Sequence, residues 1–181
     1  MMSQSQTLAQ QLLRFDTINP PGNEAACMHF LANWLMEEGF DVTLSSFGEN
    51  HLNLMAILPG SQSGPQLAFT GHLDTVPLGN ADWQYDPFGE IVGDRLYGRG
   101  SSDMKAAVAA FAVACVTNQQ AIWQGSGGVL LITVGEETGC DGARARIETA
   151  ALLEIGALTV CEPTANYPVI GHKGALWLRC E

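Results

Sequence analysis

The chain contains six acid or imidazole side chains in short polar clusters, and each cluster lies next to an apolar segment. These side chains are His72, Asp74, Asp103, Glu136, Glu137 and Glu162. Three of the clusters follow candidate strands, and the fourth precedes an Ala-rich run. In open α/β sheets, ligands bind beyond the carboxyl ends of the strands. If the candidate strands are parallel neighbours, we therefore expect His72, Asp103 and the three glutamates to face one cleft.

Several carboxylates cannot share a small cleft without compensation, because like charges repel and raise one another's pKa values. One or two divalent cations would remove this conflict. A histidine with several carboxylates suits zinc, and also manganese or cobalt. Hydrolases use metal pairs about 3.5–4 Å apart to activate water and to polarise the scissile carbonyl group. The residue types are therefore compatible with a metal-dependent hydrolytic site.

Each of these residues also has an ordinary alternative role. Taken alone, His72 would be a packed or surface histidine, and Asp103 would be a helix N-cap. Glu136 and Glu137 would be a solvated strand end, or would point opposite ways so that one binds metal and the other is a general base. The spacing of Glu136 and Glu137 does not decide between these two alternatives. Asp74 falls on the same side as His72 in an extended segment and could hydrogen-bond to its second ring nitrogen.

The composition narrows the possible functions. The 181 residues suffice for one domain with a sizeable core. The 19 acidic and 8 basic residues give a net charge of -11, so we expect no nucleic-acid binding, which needs clustered Lys and Arg. The five cysteines form no C-x-x-C pair and are expected to be buried reduced thiols. With no visible signal peptide or apolar run of ~18 residues, we expect a cytoplasmic enzyme that does not associate with membranes.

Apolar periodicity and turn residues predict an alternation of helices and strands. The predicted helices cover 5–15, 23–38, 104–117 and 141–153, with Asn23 capping the second helix and Gly39 ending it. The predicted strands cover 41–46, 52–58, 66–70, 128–134 and 157–161, with a short hairpin of 90–92 and 95–97. This alternation predicts an α/β fold, a three-layer sandwich with a mixed, largely parallel central sheet.

Four motifs occur in order along the chain and make it recognisable. They are GHLDTVP (71–77), YGRGSSDMK (97–105), GEET (135–138) and CEPT (161–164). Together with DPF at 86–88 and GHKG at 171–174, they resemble the co-catalytic zinc peptidase family. That family includes acetylornithine deacetylase, succinyl-diaminopimelate desuccinylase, aminoacylase and glutamate carboxypeptidase. The resemblance covers nearly the whole chain and implies that residues 1–173 are the N-terminal portion of a catalytic domain, and 174–181 the first strand of a lid or dimerisation domain.

The resemblance also implies a role for each candidate site residue around two zinc ions, for which cobalt or manganese could substitute. His72 and Glu162 would bind one zinc, Glu137 would bind the other, and Asp103 would bridge them. The peptide bond after Asp103 would be cis. Glu136 would be the general base that takes a proton from water, and Asp74 would support His72.

The activity that the resemblance implies is hydrolysis of small N-acyl amino acids. CEPT followed by GHKG is most similar to acetylornithine deacetylase, with the desuccinylase close behind. A glutamate-carboxypeptidase-like peptidase and a non-catalytic metal-binding fragment remain alternatives. In the family, a last zinc ligand, a histidine, and a lid that forms a homodimer follow the part matched here. We therefore expect residues 1–181 alone to have little or no activity and one tight metal site at most.

Overall fold

The computed structural model describes residues 2–150 and 153–171, and of residues 146–150 it describes the backbone only. The helices are α1 (Gln4–Leu13), α2 (Ala25–Glu37), α3 (Lys105–Thr117), α4 (Gln119–Gln124) and α5 (Asp141–Ala150). The strands are β1 (Asp41–Gly48), β2 (His51–Pro59), β3 (Gln66–His72), β4 (Glu90–Val92), β5 (Arg95–Tyr97), β6 (Gly127–Thr133) and β7 (Ile155–Val160). Strands β4 and β5 form the predicted hairpin.

The other five strands form one mixed sheet in the order β1-β2-β6-β3-β7. The central strand β6 is antiparallel to β2 and parallel to β3, and β3 is parallel to the edge strand β7. Strand β1 pairs antiparallel with β2, so that within this sheet only β2 is reversed. The predicted mixed, largely parallel sheet is therefore confirmed. Because β3, β6 and β7 are parallel neighbours, the segments that follow them meet at one edge of the sheet.

Helices lie on both faces of this sheet. On one face, α2 packs against β1 and β2, α3 packs against β3 and β6, and α1 packs against α3. Together they form the main apolar core, whose buried members include Leu12, Leu31, Leu54, Val108 and Leu130. Each such leucine stabilises the fold by about 1.5–3 kcal/mol when it leaves water. On the other face, Asn53 Nδ2 of β2 donates to Gly142 O of α5 at 2.8 Å. Because Asn53 and Leu54 are adjacent in the strand and point to opposite faces, the architecture has three layers.

The ends of the first two helices follow local capping rules, with one departure from the prediction. Helix α1 begins with a capping box between Ser3 and Gln6. Helix α2 ends before Gly39, whose φ of 90° allows the chain to leave the helix, as predicted. The predicted cap at Asn23 is wrong, because the N-cap residue is Glu24 and it makes no side-chain cap bond. The Glu24 side chain is instead buried beside His51, with 3.1 Å between Oε2 and Nδ1.

Two other parts of the prediction need comment. The sequence pattern did not predict α4, whose six residues are too few to show helical periodicity. Helix α5 is observed to Ala150, whereas the prediction extended it to 153, and residues 151–152 lie outside the described residues. The predicted lid strand at 174–181 also lies outside them.

Candidate metal centre

His72 is the last residue of β3, and its position depends on a close approach between this strand and the start of α3. A Cβ at Gly71 would lie 2.7 Å from Met104 Cε and 3.2 Å from Val108 Cγ2, so a larger residue would displace buried side chains of α3. The Asp103–Met104 peptide bond is cis, as the resemblance implied. The absence of a side chain at Gly71 therefore lets the imidazole of His72 approach the carboxylate of Asp103.

Imidazole and carboxylate groups converge at this edge of the sheet. His72 Nε2 lies 3.1 Å from Asp103 Oδ1. The same nitrogen lies 3.8 Å from Glu136 Oε2 and 3.9 Å from Glu162 Oε1. His72, Asp103 and Glu137 each offer one potential ligand atom, and these three atoms lie within 4.8 Å of one another. The structure thus brings together the five residues that were expected to face one cleft, although it does not assign their roles.

The buried carboxylate of Asp74 is the centre of a hydrogen-bond network behind these groups. Glu136 N donates to Oδ1 at 3.3 Å, and Glu137 N donates to Oδ2 at 3.1 Å. Asn19 Nδ2 donates to Oδ2 at 3.3 Å. His72 Nδ1 lies 3.3 Å from Oδ1 and 2.9 Å from the main-chain oxygen of Asp74. A single carboxylate therefore fixes both the imidazole and the turn that carries the two glutamates.

The pKa values of Asp74 and His72 reflect this pairing. Burial raises the pKa of Asp74, but the hydrogen bond and charge of His72, together with the N–H donors, bring it below its ordinary value. Burial lowers the pKa of His72, and the hydrogen bond and charge of Asp74 outweigh this effect and raise it to about 9. An ionised Asp74 keeps a proton on Nδ1 and so leaves Nε2 to face the other carboxylates.

The carboxylates that face Nε2 repel one another. Burial and the charge of Asp103 raise the pKa of Glu137 to about 7, although His72 lowers it. Burial also raises the pKa of Glu162, against the lowering effect of His72, and the charges of Asp103 and Glu136 add to the rise. This is the conflict expected of several carboxylates in a small cleft, and a bound cation would relieve it.

The donor set fits a divalent cation. It offers one imidazole nitrogen and carboxylate oxygens, which are ligands of zinc and, in this mixture, also of manganese and cobalt. The second imidazole nitrogen is held by a carboxylate, as is common for histidines that bind metal. His72, Asp103 and Glu137 are the residues whose geometry best suits a shared ion, and Glu162 lies next to them.

Sequence reasoning missed a supporting segment that joins α1 to α2. Asn19 N donates to Thr75 O at 2.8 Å, and Thr75 N donates to Thr17 O at 3.0 Å. The buried Lys105 Nζ donates to Phe15 O at 2.8 Å, and burial lowers the pKa of this lysine. The segment therefore contacts both the chain after His72 and the start of α3. A lysine directly after Asp103-Met104, at the start of an otherwise apolar helix, was the one visible signal.

The turn after β6 differs from the expected geometry. One alternative left open by the sequence was that Glu136 and Glu137 lie in an extended strand end and point opposite ways. Strand β6 instead ends at Thr133, and both glutamates lie in a turn that begins after Gly135, whose φ is 75°. Both of their N–H groups point to Asp74, so the turn is shaped by that carboxylate and not by the alternation of a strand.

A cavity of about 200 Å³ opens beside the cluster. It is lined by Asp103 and Glu137 and also by Arg99, Ser101 and Ser102. Arg99 is held in place because its Nη2 donates to Pro77 O at 3.1 Å and its guanidinium lies 5.3 Å from the centre of the Trp83 ring. The cavity thus combines a positive charge and two hydroxyl groups with the acidic cluster.

The chain belongs to a known family of metallopeptidases. The model of peptidase family M20/M25/M40 matches residues 68–173, which include the whole acidic cluster. A succinyl-diaminopimelate desuccinylase of Granulibacter bethesdensis is 40% identical over 139 residues, which cover 76% of this chain and 34% of that protein. A succinyl-diaminopimelate desuccinylase of Ehrlichia chaffeensis is 34% identical over 185 residues, which cover 93% of this chain and 47% of that protein. The chain therefore spans half or less of the length of these relatives.

A solved structure supports the fold. An M20 family metallo-carboxypeptidase from Sulfolobus solfataricus superposes with a TM-score of 0.77 over 88% of this chain and 37% of that one, at 21% identity. This agreement shows that the α/β fold is that of the family's catalytic domain. A membrane-spanning helix is absent from the part of the chain that the structure describes.

Proposed function

We propose that the whole protein is a metal-dependent hydrolase that removes an acyl group from the amine of an N-acyl amino acid. The observation that carries this proposal is the convergence of His72, Asp103 and Glu137 beside Glu136 and Glu162 at one edge of the sheet. These residues would hold two divalent cations, for which zinc is the first candidate. When bound, such cations polarise the amide carbonyl and lower the pKa of a water molecule.

The protein's own groups would then handle the proton. Glu136 has a carboxylate at the mouth of the cleft, 40% exposed and 3.8 Å from His72 Nε2, where an attacking water could approach it. It would accept the proton from that water and deliver it to the leaving amine. Asp74 would keep His72 and the turn in position throughout, because it accepts hydrogen bonds from both.

The substrate is the finer part of the proposal. N-succinyl-diaminopimelate is the first candidate, because the two relatives described above are named for its hydrolysis. Arg99 in the neighbouring cavity favours the same choice. A succinyl group carries a carboxylate that a guanidinium could bind, whereas an acetyl group carries none. N-acetylornithine remains the second candidate, on the likeness of CEPT and GHKG to the deacetylase. Peptides that end in an acidic residue are the third.

The experiment compares these substrates with the whole protein, loaded with zinc. Release of succinate, acetate or amino acid identifies the acyl group, and removal of zinc with a chelator should abolish turnover. Glu136→Gln should lower kcat by about 10²- to 10⁴-fold while zinc content stays the same. Glu37→Gln, an exposed carboxylate on α2, is the control and should have no effect. Zinc binding without hydrolysis of any of these substrates would favour a non-catalytic metal-binding protein instead.

The remaining expectations extend this proposal. We propose that residues beyond 173 begin a lid domain through which the whole protein forms a homodimer, and that it acts in the cytoplasm on small molecules, without nucleic-acid or membrane partners. The measured mass of the whole protein in solution tests the dimer. A monomer with full activity would remove that part of the proposal and leave the chemistry intact.

A further inference from the structure

Asn19 places one side-chain amide between two parts of the candidate site that are far apart in sequence. Its Nδ2 donates to Asp74 Oδ2 and to Thr138 Oγ1, at 3.3 Å in each case. Asp74 contacts the imidazole of His72, and Thr138 directly follows Glu137. Only 5% of Asn19 is exposed, so water competes little for either hydrogen bond. The amide thus connects the support of one candidate ligand to the turn that carries another.

The main chain around Asn19 holds this amide in place. Asn19 pairs with Thr75 through its N–H group at 2.8 Å, and Ile18 and Thr75 form a parallel bridge. Thr17 Oγ1 donates to Leu73 O at 2.6 Å. These bonds attach the segment before Asn19 to the chain that leaves β3. The amide is therefore presented from a fixed backbone, and both of its hydrogen bonds come from one preorganised donor.

We propose that Asn19 is a positioning residue that sets the separation between His72 and Glu137 in the metal centre, acting through Asp74 and Thr138. The inference rests on the proposed function in one respect, that this centre binds a divalent cation. Asn19 would touch neither the cation nor the substrate, because it is 5% exposed and its amide is bonded to Asp74 and Thr138. Its effect comes from geometry, because a metal centre needs its ligands held within about 0.5 Å of the productive arrangement.

Three substitutions remove the connection in different ways. Asn19→Asp keeps the shape of the side chain but sets a second carboxylate against the buried Asp74, and the two charges repel. Asn19→Ala removes the donor without adding charge and leaves Asp74 Oδ2 with the Glu137 N–H group. Thr138→Val removes the second acceptor, together with the weak bond that Thr138 Oγ1 donates to Gly135 O at 3.4 Å, and keeps the bond from Asn19 to Asp74. We therefore expect the effects to decrease in that order.

The test measures cobalt(II) binding to the whole protein by its visible absorption, which reports both affinity and ligand geometry. Groups that support metal ligands contribute about 10- to 100-fold to affinity. We expect Asn19→Ala to weaken cobalt binding about 10-fold and to change the absorption band, and Asn19→Asp to weaken it further. For the N-acyl substrate, kcat should fall more than KM rises, because the substrate does not contact Asn19.

Asn53→Ala is the matched control for Asn19→Ala. Asn53 is also buried, at 1% exposure, and its Nδ2 also donates one hydrogen bond, but to Gly142 O and not to a side chain of the site. This variant should lose stability and keep the cobalt affinity and spectrum of the unaltered protein. Equal losses of cobalt affinity in Asn53→Ala and Asn19→Ala would assign the effect to general destabilisation and overturn the proposal.

Other outcomes are equally decisive. Unaltered cobalt affinity and spectrum in Asn19→Ala would overturn the proposal directly. If Asn19→Asp does not fold, Asn19→Ala and Thr138→Val decide, since neither buries a new charge. If the unaltered protein binds cobalt but hydrolyses no N-acyl substrate, the proposed function fails. The cobalt affinities of the Asn19 variants still test the positioning role of Asn19.

Discussion

The two sides of the candidate metal centre are built differently. The buried side (His72, Asp74 and Asn19) is at most 5% exposed, and its side chains share hydrogen bonds with two other segments. The open side (β7 and Glu162) lies at the edge of the sheet, where Leu158 and Val160 are 51% and 53% exposed and the Glu162 side chain is 37% exposed. We infer that packing fixes the first side before any cation binds, whereas a bound cation helps to fix the second.

The largest expected effect comes from His72→Ala. This change removes the imidazole that the described part of the chain contributes to the cluster, and a fixed ligand with it, so zinc affinity should fall by more than about 100-fold, beyond the effect of a supporting residue. Glu162→Ala should cause a smaller loss, because that carboxylate is held less firmly. Competition with a chelator of known affinity measures both. Equal losses in the two variants would break the comparison between the sides.

Asp74→Asn should have the next largest effect. The amide keeps the size of the side chain but offers one acceptor oxygen, whereas the carboxylate accepts from the N–H groups of both glutamates and from Asn19. We expect zinc affinity to fall about 10- to 100-fold. Asp86→Asn is the control, since Asp86 also accepts a main-chain hydrogen bond, from Phe88 N at 2.8 Å, but is exposed and is paired with Arg14 and not with the residues of the cluster. If Asp74→Asn bound zinc as tightly as the unaltered protein, the buried side would not depend on this carboxylate.

The comparison also explains which features could be predicted from the sequence. The strands β3, β6 and β7 appear as short apolar runs, and the rule that parallel strands end at one edge was enough to bring His72, Glu137 and Glu162 together. These residues occur where local patterns end, so each is visible in its own segment. Asp103 was visible as an acidic residue before an Ala-rich helix. The family resemblance then implied a role for each, which the binding experiments above can test.

The features that could not be predicted depend on contacts between distant segments. Asn19 lies in a turn of Asn, Pro and Gly, and nothing local shows that its amide meets residues 74 and 138. The turn at Glu136 and Glu137 is likewise set by the remote Asp74 and not by its own sequence. Glu24 was invisible for the same reason, since its burial depends on His51 of β2. The contacts of Asn19 and Glu24 are therefore harder to derive from sequence than the candidate ligands and Asp74.

A smaller effect is expected on stability, where the centre of the sheet and its open edge should respond differently to the loss of a leucine side chain. Leu130 in β6 is 1% exposed, and Leu130→Ala should lower the free energy of unfolding by about 2–5 kcal/mol, because it leaves a cavity in the core. Leu158→Ala in β7 should change it by about 0.5 kcal/mol or less, as for other surface positions. Urea unfolding of the two variants measures the difference. A large loss from Leu158→Ala would mean that the open side is packed against something and is not loosely held.

The smallest expected effect concerns pH and the buried carboxyl group of Glu24. Burial raises its pKa above the ordinary value of 4.5, and neither carboxylate oxygen has a partner with hydrogen-bond geometry among the described residues. A raised pKa means that the folded state holds the proton more tightly than the unfolded chain, so folding loses stability as the pH rises above 4.5 through the raised value. Glu24→Gln buries no charge and should raise the melting temperature slightly at pH 8 and least near pH 4.5. Glu37→Gln, on the exposed surface of α2, should show no such pH-dependent gain. If Glu24→Gln instead lowered stability most at pH 8, the ion pair between Glu24 and His51 would stabilise the folded state.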